Sequence, residues 1–434
     1  MFTPNKQAML IYNLFPTLAG TFSNWSPHIC RAAQMGFNWI FVNPIQMPGL
    51  SGSLYSIKDY YAFNPLLSDP GSPLSPEQQL REALNAARDK GMRVMIDLVM
   101  NHTAIDSPLT KEHPGWFRHD RDGGIAHPYA MDGGNKVIWG DLARLDHAKS
   151  PESEALYQYF RSFVQYLLGL GFSGFRCDAA YQIPQKLWKR LISDSKSSFP
   201  EAIFAAETLG CSREQTMETA EAGFDYIFNS SKWWDYKSPW LMEQYRLFRE
   251  ICPSISFPES HDTERLAEEF HGDIIALRRA YLFSALFSAG IMIPMGFELG
   301  FVRRLHVVDT RPSDWESTDM DISTFIAEVN RIKSSCEAFI TEAPTRIYRY
   351  ERSRKILIIE KQTDSEVAVA AINIDLKSSH RLLAEDLSDL LPGTIKPLKF
   401  IMPGKECKEV SNGVDYTLDP GNGIIFMGRV IDDQ

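Results

Sequence analysis

The chain has 434 residues, 44% hydrophobic and 23% charged, enough for a large core and a second domain. Its formal net charge of −10 argues against a nucleic-acid binder, which would show a basic face, and no apolar run is long enough to span a membrane. The six cysteines at 30, 177, 211, 252, 336 and 407 have no metal-type Cys-x-x-Cys spacing, and the N-terminal residues lack the basic-then-apolar pattern of a signal peptide. Reduced thiols in a cytoplasmic protein are expected.

Taken in order, apolar strand-like runs alternate with amphipathic helical stretches. Ala8 to Pro16 reads as the first strand, followed by a helix from about Pro27 to Met35 that stops at Gly36. Asn38 to Ile45 is the second strand. Ser75 is an expected N-cap with Pro76 at the first helical position, and that helix ends at Lys90-Gly91. Arg93 to Met100 follows as a near-continuous apolar run carrying Asp97, the mark of a strand buried on both faces of a parallel sheet. Gly174 to Ala180, Ile203 to Thr208, Tyr226 to Ser230, Ile255 to Asp262 and Ile291 to Pro294 complete eight.

Eight strand–helix units predict an α/β chain built as a (β/α)8 barrel over residues 1–100 and 150–338, with working groups at the C-terminal strand ends. An open doubly wound sheet would show a Gly-rich phosphate fingerprint after an early strand, and none is present. Residues 101–149 are too long for an ordinary loop and predict a small domain inserted after strand three. From residue 339 to 434 short strand-like runs with polar turns predict an all-β sandwich.

Polar residues fall at the ends of the apolar runs: Asp97, Asn101 and His102 on strand three, Arg176 and Asp178 on strand four, Glu207 on strand five, His261 and Asp262 on strand seven. Arg176 and Asp178, two apart, share one face of a strand, and a guanidinium beside a carboxylate keeps it ionised and aimed. Alone, an Arg-x-Asp is more simply a structural ion pair. Carboxylates at buried strand ends are costly unless paired or working. Three converging on a barrel mouth suit glycosidic-bond chemistry: one attacks the anomeric carbon, one moves a proton, one supports the oxocarbenium-like transition state.

With these residues in place, the sequence resembles the α-amylase superfamily, glycoside hydrolase family 13. Its motifs appear in order as Asp97-Leu-Val-Met-Asn-His102, Gly174-Phe-Arg-Cys-Asp178, Ala206-Glu207 and Ser260-His261-Asp262. Tyr55-Ser-Ile-Lys-Asp59-Tyr60, Trp139-Gly-Asp-Leu-Ala-Arg-Leu-Asp146 and Gly296-Phe-Glu-Leu-Gly300 are further matches. The resemblance implies Asp178 as nucleophile, Glu207 as general acid/base and Asp262 as transition-state stabiliser. It implies sugar contacts for Tyr55, His102, Arg176 and His261, and site support from Asp97 and Asp59. Asn101 matches a calcium ligand in many members, so a structural calcium is an option; no cofactor is required for the chemistry.

The chain departs from the family pattern at Tyr181-Gln182, where members often have Lys-His on the acceptor side, at Ser260 for Asn, and at Ser56 for Asp. The stretches Pro48 to Ser56, Ser107 to Phe117, Ile203 to Thr208 and Ala289 to Leu299 resemble glucan maltosyltransferases and the transferase half of glycogen debranching enzymes. The expectation is therefore retaining chemistry on α-1,4-glucans or malto-oligosaccharides in carbohydrate metabolism, by hydrolysis or by transfer to a sugar, with no nucleic-acid or membrane partner and the oligomeric state open. A non-catalytic glycan-binding or scaffold protein would not need Asp178 and Glu207. His113 and His127 read as surface or loop residues rather than metal ligands, Trp233 and Trp234 as a sugar platform or core packing, Cys177 as outward-facing, and Glu298 as near the pocket or a helix cap.

Overall fold

The structure is a computed structural model, describing residues 7–132, 135–385, 395–401, 408–410 and 413–430. Eight strands close into a parallel barrel: β1 (Met9–Leu14), β2 (Trp39–Val42), β3 (Arg93–Leu98), β4 (Gly174–Cys177), β5 (Ile203–Ala206), β6 (Tyr226–Phe228), β7 (Ser254–Ser256) and β8 (Gly290–Pro294). Each pairs with its sequence neighbours, and β1 closes on β8 with Met9 opposite Gly290. The predicted (β/α)8 barrel is present. Side chains of alternate residues fill its interior, among them Met9, Ile11, Phe41, Met95, Phe228, Ile255 and Met292. Cys177 instead joins the layer between strands and helices, on the face opposite the mouth-directed residues as its odd position requires.

Each strand is followed by a helix that covers the sheet, most with an apolar face and the one after β5, Arg213–Ala220, with Thr216, Thr219 and Ala220. Ser75 caps the helix Pro76–Asp89 through a reciprocal bond with Gln78, which satisfies two otherwise orphaned amides. Helix Trp25–Gln34 ends where Gly36 takes φ +81°. The strands are shorter at their C-terminal ends than the apolar runs predict: β7 stops at Ser256 and β5 at Ala206. The residues beyond leave the sheet, which frees Glu207, His261 and Asp262 to face the mouth rather than a neighbouring strand.

After β3 the chain makes an excursion with two small antiparallel ladders. His102–Ala104 pairs with Leu142–Arg144, and Tyr129–Asp132 pairs with Asn135–Ile138. Beyond the barrel, an antiparallel six-stranded sheet includes Ile356–Gln362, Glu366–Asn373 and Gly423–Val430, and a two-stranded sheet joins His380–Ala384 to Val414–Leu418. The strand period of two is clean here. Ile356, Ile358, Val369 and Phe426 pack against Leu382 and Leu418 of the small sheet, whereas Leu357, Ile359, Ala370 and Ile425 join the barrel's outer core.

Among the described residues, no helix is long and apolar enough to cross a membrane. Cys30, Cys177, Cys211, Cys252 and Cys336 are free thiols; Cys407 lies outside the described residues.

Candidate active site

Arg176 is the hub of the barrel mouth. It is 5% exposed, its Nη1 donates to both oxygens of Asp97 at 3.0 Å and to Asp178 Oδ1 at 2.8 Å, and its Nη2 lies 3.8 Å from Asp262 Oδ2. The register explains this: Arg176 sits directly opposite Asp97 on the neighbouring strand. Burial would drive Arg176 down, and the acidic groups around it, Asp97 first, outweigh that and hold it charged.

Asp97 is buried, and burial pushes its carboxyl upward while Arg176 and the Tyr55 hydroxyl pull it back. Tyr55 donates to Asp97 Oδ2 at 2.6 Å. Having spent its proton there, the same phenol oxygen accepts from Asn43 Nδ2 at 3.0 Å and faces His261 Nε2 at 2.7 Å. His261 Nε2 also lies 3.1 Å from Asp262 Oδ2. Two acceptors on one nitrogen place the proton on Nε2, and Nδ1 is left buried without a partner. Burial lowers the His261 pKa, so a neutral ring is expected. His102 follows the same logic: Nε2 donates to the Tyr55 carbonyl at 3.0 Å, Nδ1 has no partner, and burial lowers its pKa.

Glu207 is held by backbone amides. The N–H of Ala179 donates to Oε2 at 2.8 Å and that of Leu209 to Oε1 at 3.0 Å. Ala179, next to Asp178, adopts a left-handed conformation (φ 40°, ψ 47°). That conformation costs a non-glycine residue roughly 1–2 kcal/mol and aims its amide at Glu207. Burial raises the Glu207 pKa to about 7, with Arg176 pulling it back and the Asp178 and Asp262 charges adding to the rise.

A cleft of about 440 Å³ joins these groups: Asp178, Glu207 and Asp262 line it together with Tyr55, Asn101 and His102. Arg176 and His261 lie beneath, beside a small void that reaches Glu207 and Asp262. A larger cavity of about 550 Å³ lies at the opposite end of the barrel, at Tyr226, Pro253 and Ala289, and contains none of these residues.

The structure does not bring Asp59 to the cleft. Asp59 is exposed, and its Oδ1 accepts from the amides of Tyr61 and Ala62. Asn101 Nδ2 donates to Gln182 Oε1 at 3.4 Å, and Asn101 Oδ1 is buried without a partner. That is one oxygen where calcium takes six to eight, and among the described residues no group of three or more His, Cys, Asp or Glu side chains gathers as a metal site. The Asn101 oxygen is the side-chain atom left without a partner at this place, and the mechanism below uses no calcium ion.

His113 stacks on Trp116 with centroids 4.0 Å apart, and His127 Nδ1 lies 2.7 Å from the Leu142 carbonyl. Trp234 is buried, while Trp233 is 53% exposed. Glu298 is buried, bonded to the Tyr12 hydroxyl at 2.8 Å and the Gly296 amide at 3.0 Å, so it closes the turn after β8.

Sequence reasoning missed Asn43, which holds the Tyr55 phenol and is itself bonded by Asn13 at 2.9 Å. Both asparagines end apolar strands, the signal that exposed the others. It also missed Ala179, whose strained backbone has no sequence signature.

A profile of the glycogen debranching enzyme glucanotransferase domain matches residues 5–117. Across 397 residues the chain is 26% identical to an α-1,4-glucan:maltose-1-phosphate maltosyltransferase of Burkholderia pseudomallei, covering 86% of this chain and 33% of that protein. It is 23% identical over 414 residues to α-amylase 2 of Dictyoglomus thermophilum, covering 90% of this chain and 70% of that one. Among solved structures, an α-amylase from Lactobacillus plantarum superposes with a TM-score of 0.76 at 21% identity, covering 97% of this chain and 99% of that one. The chain therefore spans about a third of the length of the maltosyltransferase it matches.

In sequence the chain resembles an α-amylase along most of its length, and its fold is that of solved α-amylases. It also resembles an α-1,4-glucan:maltose-1-phosphate maltosyltransferase and, over residues 5–117, the glucanotransferase domain of glycogen debranching enzymes.

Proposed function

We propose that the chain is a retaining enzyme acting on α-1,4-glucans or malto-oligosaccharides through a covalent glycosyl-enzyme intermediate. The observation that carries the reading is the pairing of unlike carboxyls. Asp178 is bonded to the Arg176 cation, while Glu207, tied to the next residue's amide, is raised to about 7 by burial. Environments that separate two carboxyls in this way assign a base or nucleophile and an acid.

In the first step Asp178 Oδ attacks the anomeric carbon as Glu207 gives its proton to the departing oxygen. The C–O bond to the leaving group breaks, and a C–O bond to Asp178 forms. In the second step Glu207, now a carboxylate, takes the proton of an incoming hydroxyl that displaces Asp178. Asp262, on the cleft's open side, accepts hydrogen bonds from hydroxyls of the reacting sugar and opposes the positive charge that develops on it. Neutral His102 and His261 orient the same sugar. Tyr55, fixed by Asp97 and Asn43, presents its ring to it.

Transfer to a sugar rather than to water is the second reading. It is favoured by the cleft wall, where Pro128, Trp139, Leu142, Val307 and Val308 offer mostly apolar surface that would keep water from the intermediate. The relative from B. pseudomallei bears a maltose-1-phosphate transferase name. The net charge of −10 and the free thiols fit a cytoplasmic enzyme without nucleic-acid partners.

The test is product analysis after incubation with maltoheptaose, with and without maltose. Rising reducing ends with only shorter products mean hydrolysis. Longer and shorter products at constant reducing ends mean transfer. A blank is followed by maltose 1-phosphate with a glucan acceptor, and a second blank overturns the reading.

A further inference from the structure

A row of polar side chains leads from β1 to the floor of the cleft, and each can point only one way. Asn13 lies on β1 opposite Phe41 of β2, and Asn43 follows the end of β2. Asn13 Nδ2 donates to the Phe41 carbonyl at 3.1 Å and to Asn43 Oδ1 at 2.9 Å. A backbone carbonyl can only accept, so turning the Asn13 amide over would set two oxygens against each other. Its second N–H in turn needs an acceptor. That need fixes Oδ1 of Asn43 towards Asn13 and Nδ2 towards the Tyr55 oxygen, 3.0 Å away.

The direction carries on through the phenol. Asn43 presents a donor to it, so the Tyr55 proton cannot go to residue 43. That proton is given to Asp97 Oδ2 at 2.6 Å, and the same oxygen faces His261 Nε2 at 2.7 Å as an acceptor. Hydrogen bonds aligned in one sense strengthen one another. The Tyr55 and His261 rings lie parallel, 3° apart in tilt, so aiming the hydroxyl also sets the two rings against each other. Tyr55 lines the cleft, whereas both asparagines are fully buried.

Stability alone would not choose this arrangement. Met9 and Ile11 share the inner face of β1 with Asn13 and are apolar. Asn13 Oδ1 is buried without a partner, and an unpaired buried acceptor is destabilising. What the asparagine adds over a leucine is direction.

We propose that Asn43, aimed by Asn13, is a positioning residue that acts on the reaction through the Tyr55 hydroxyl, committing the phenol proton to Asp97 and so placing Tyr55 and His261 against the sugar. This rests on the reading of the cleft as an α-glucan site.

The experiment is a double-mutant cycle on the full chain. Its readout is kcat/KM for maltoheptaose or, where that is inert, for maltose 1-phosphate with a glucan acceptor. Asn43→Leu removes the donor at similar volume, and Tyr55→Phe keeps the ring and removes the hydroxyl. Each alone should lower kcat/KM by about tenfold, the worth of one hydrogen bond to a positioned group. Together they should lose no more than about twice what Tyr55→Phe loses alone, because Asn43 then has no hydroxyl to act on. Asn13→Leu, whose lost bonds go to Phe41 and Asn43, should reproduce part of the Asn43→Leu loss and add nothing to it in combination. Urea denaturation shows which variants fold. If Asn43→Leu does not, the Asn13→Leu, Asn43→Leu pair, which removes both amides, takes its place in the cycle. Losses that multiply to about a hundredfold are what a packing role would give, and they overturn the proposal. Unchanged kcat/KM in Asn43→Leu or in Tyr55→Phe overturns it equally. Both results leave the α-glucan reading intact, since the parent still turns over. A parent that turns over neither substrate overturns that reading, and this inference with it.

Discussion

Arg176 and Asp262 face the same cleft but are held in opposite ways. Arg176 is 5% exposed and fixed by two carboxylates at hydrogen-bond distance. The Asp262 side chain is 54% exposed, 3.8 Å from Arg176 and 3.1 Å from His261. Its loop is clamped from below, where Glu259 and Arg265 form a buried pair at 2.7 Å and Arg265 also bonds the Met295 and Arg303 carbonyls. The floor of the cleft is therefore part of the fold, and its groups serve stability and chemistry at once. The rim is only carried by the fold. Changes at the floor should cost both stability and activity, whereas changes at the rim should cost activity alone.

The largest effect should come from the hub. Arg176→Met leaves Asp97 and Asp178 without their cation, and breaking a buried pair by removing one partner costs about 3–5 kcal/mol. Urea denaturation should show that loss together with loss of turnover. Arg176→Met combined with Asp97→Asn should regain part of the stability without the activity. If the double variant were less stable than the single, the floor would not be the coupled unit described here.

Next comes Glu207→Gln, which keeps the amide contacts of one oxygen but has no proton to cycle. The expected loss in kcat is about 10³-fold, within the range for a positioned acid/base, and stability should fall by about 1–3 kcal/mol because the new amide nitrogen cannot accept from the second backbone N–H. Asp262→Asn should likewise lower kcat while moving stability by no more than about 0.5 kcal/mol, as exposed sites do. A large stability loss there would erase the distinction between rim and floor.

The pH profile sharpens the same contrast. Glu207 must enter the first step protonated, and burial sets its pKa at about 7. kcat/KM should therefore fall as pH rises through that value, by about tenfold per further unit. Asp262 is one of the charges that raise Glu207. Removing it as Asp262→Asn lowers the Glu207 pKa, so the alkaline limb should move to lower pH. An alkaline limb unmoved by Asp262→Asn would mean that the rim charge is screened from the floor.

The sequence made the floor legible because burying a charge is costly. An aspartate inside Arg93 to Met100, or a glutamate ending Ile203 to Thr208, is conspicuous among apolar neighbours. Eight such runs with helical stretches between them also carried the barrel. The strand ends were less legible: the run from Ile255 to Asp262 continues past the sheet, because pairing at the mouth depends on neighbouring strands rather than on local propensity. Asn13 and Asn43 carried the same signal more faintly, as neutral groups that a strand end tolerates. Ala179 carried none, since its left-handed backbone is imposed by the turn around it.

Asp59 sets the smallest expected effect. Its motif neighbours Tyr55 and Tyr60 are embedded, Tyr60 bonding the Val99 and His102 carbonyls at 3.1 and 3.0 Å. Asp59 itself points outward and serves the amides of Tyr61 and Ala62. Asn accepts the same two hydrogen bonds, so Asp59→Asn should leave kcat/KM unchanged and stability within about 0.5 kcal/mol. Steady-state kinetics and urea denaturation check both. Were kcat/KM to fall tenfold, the division would have to be redrawn, because an exposed carboxylate outside the cleft would then be setting the geometry of Tyr55 through Ser56, Ile57 and Lys58.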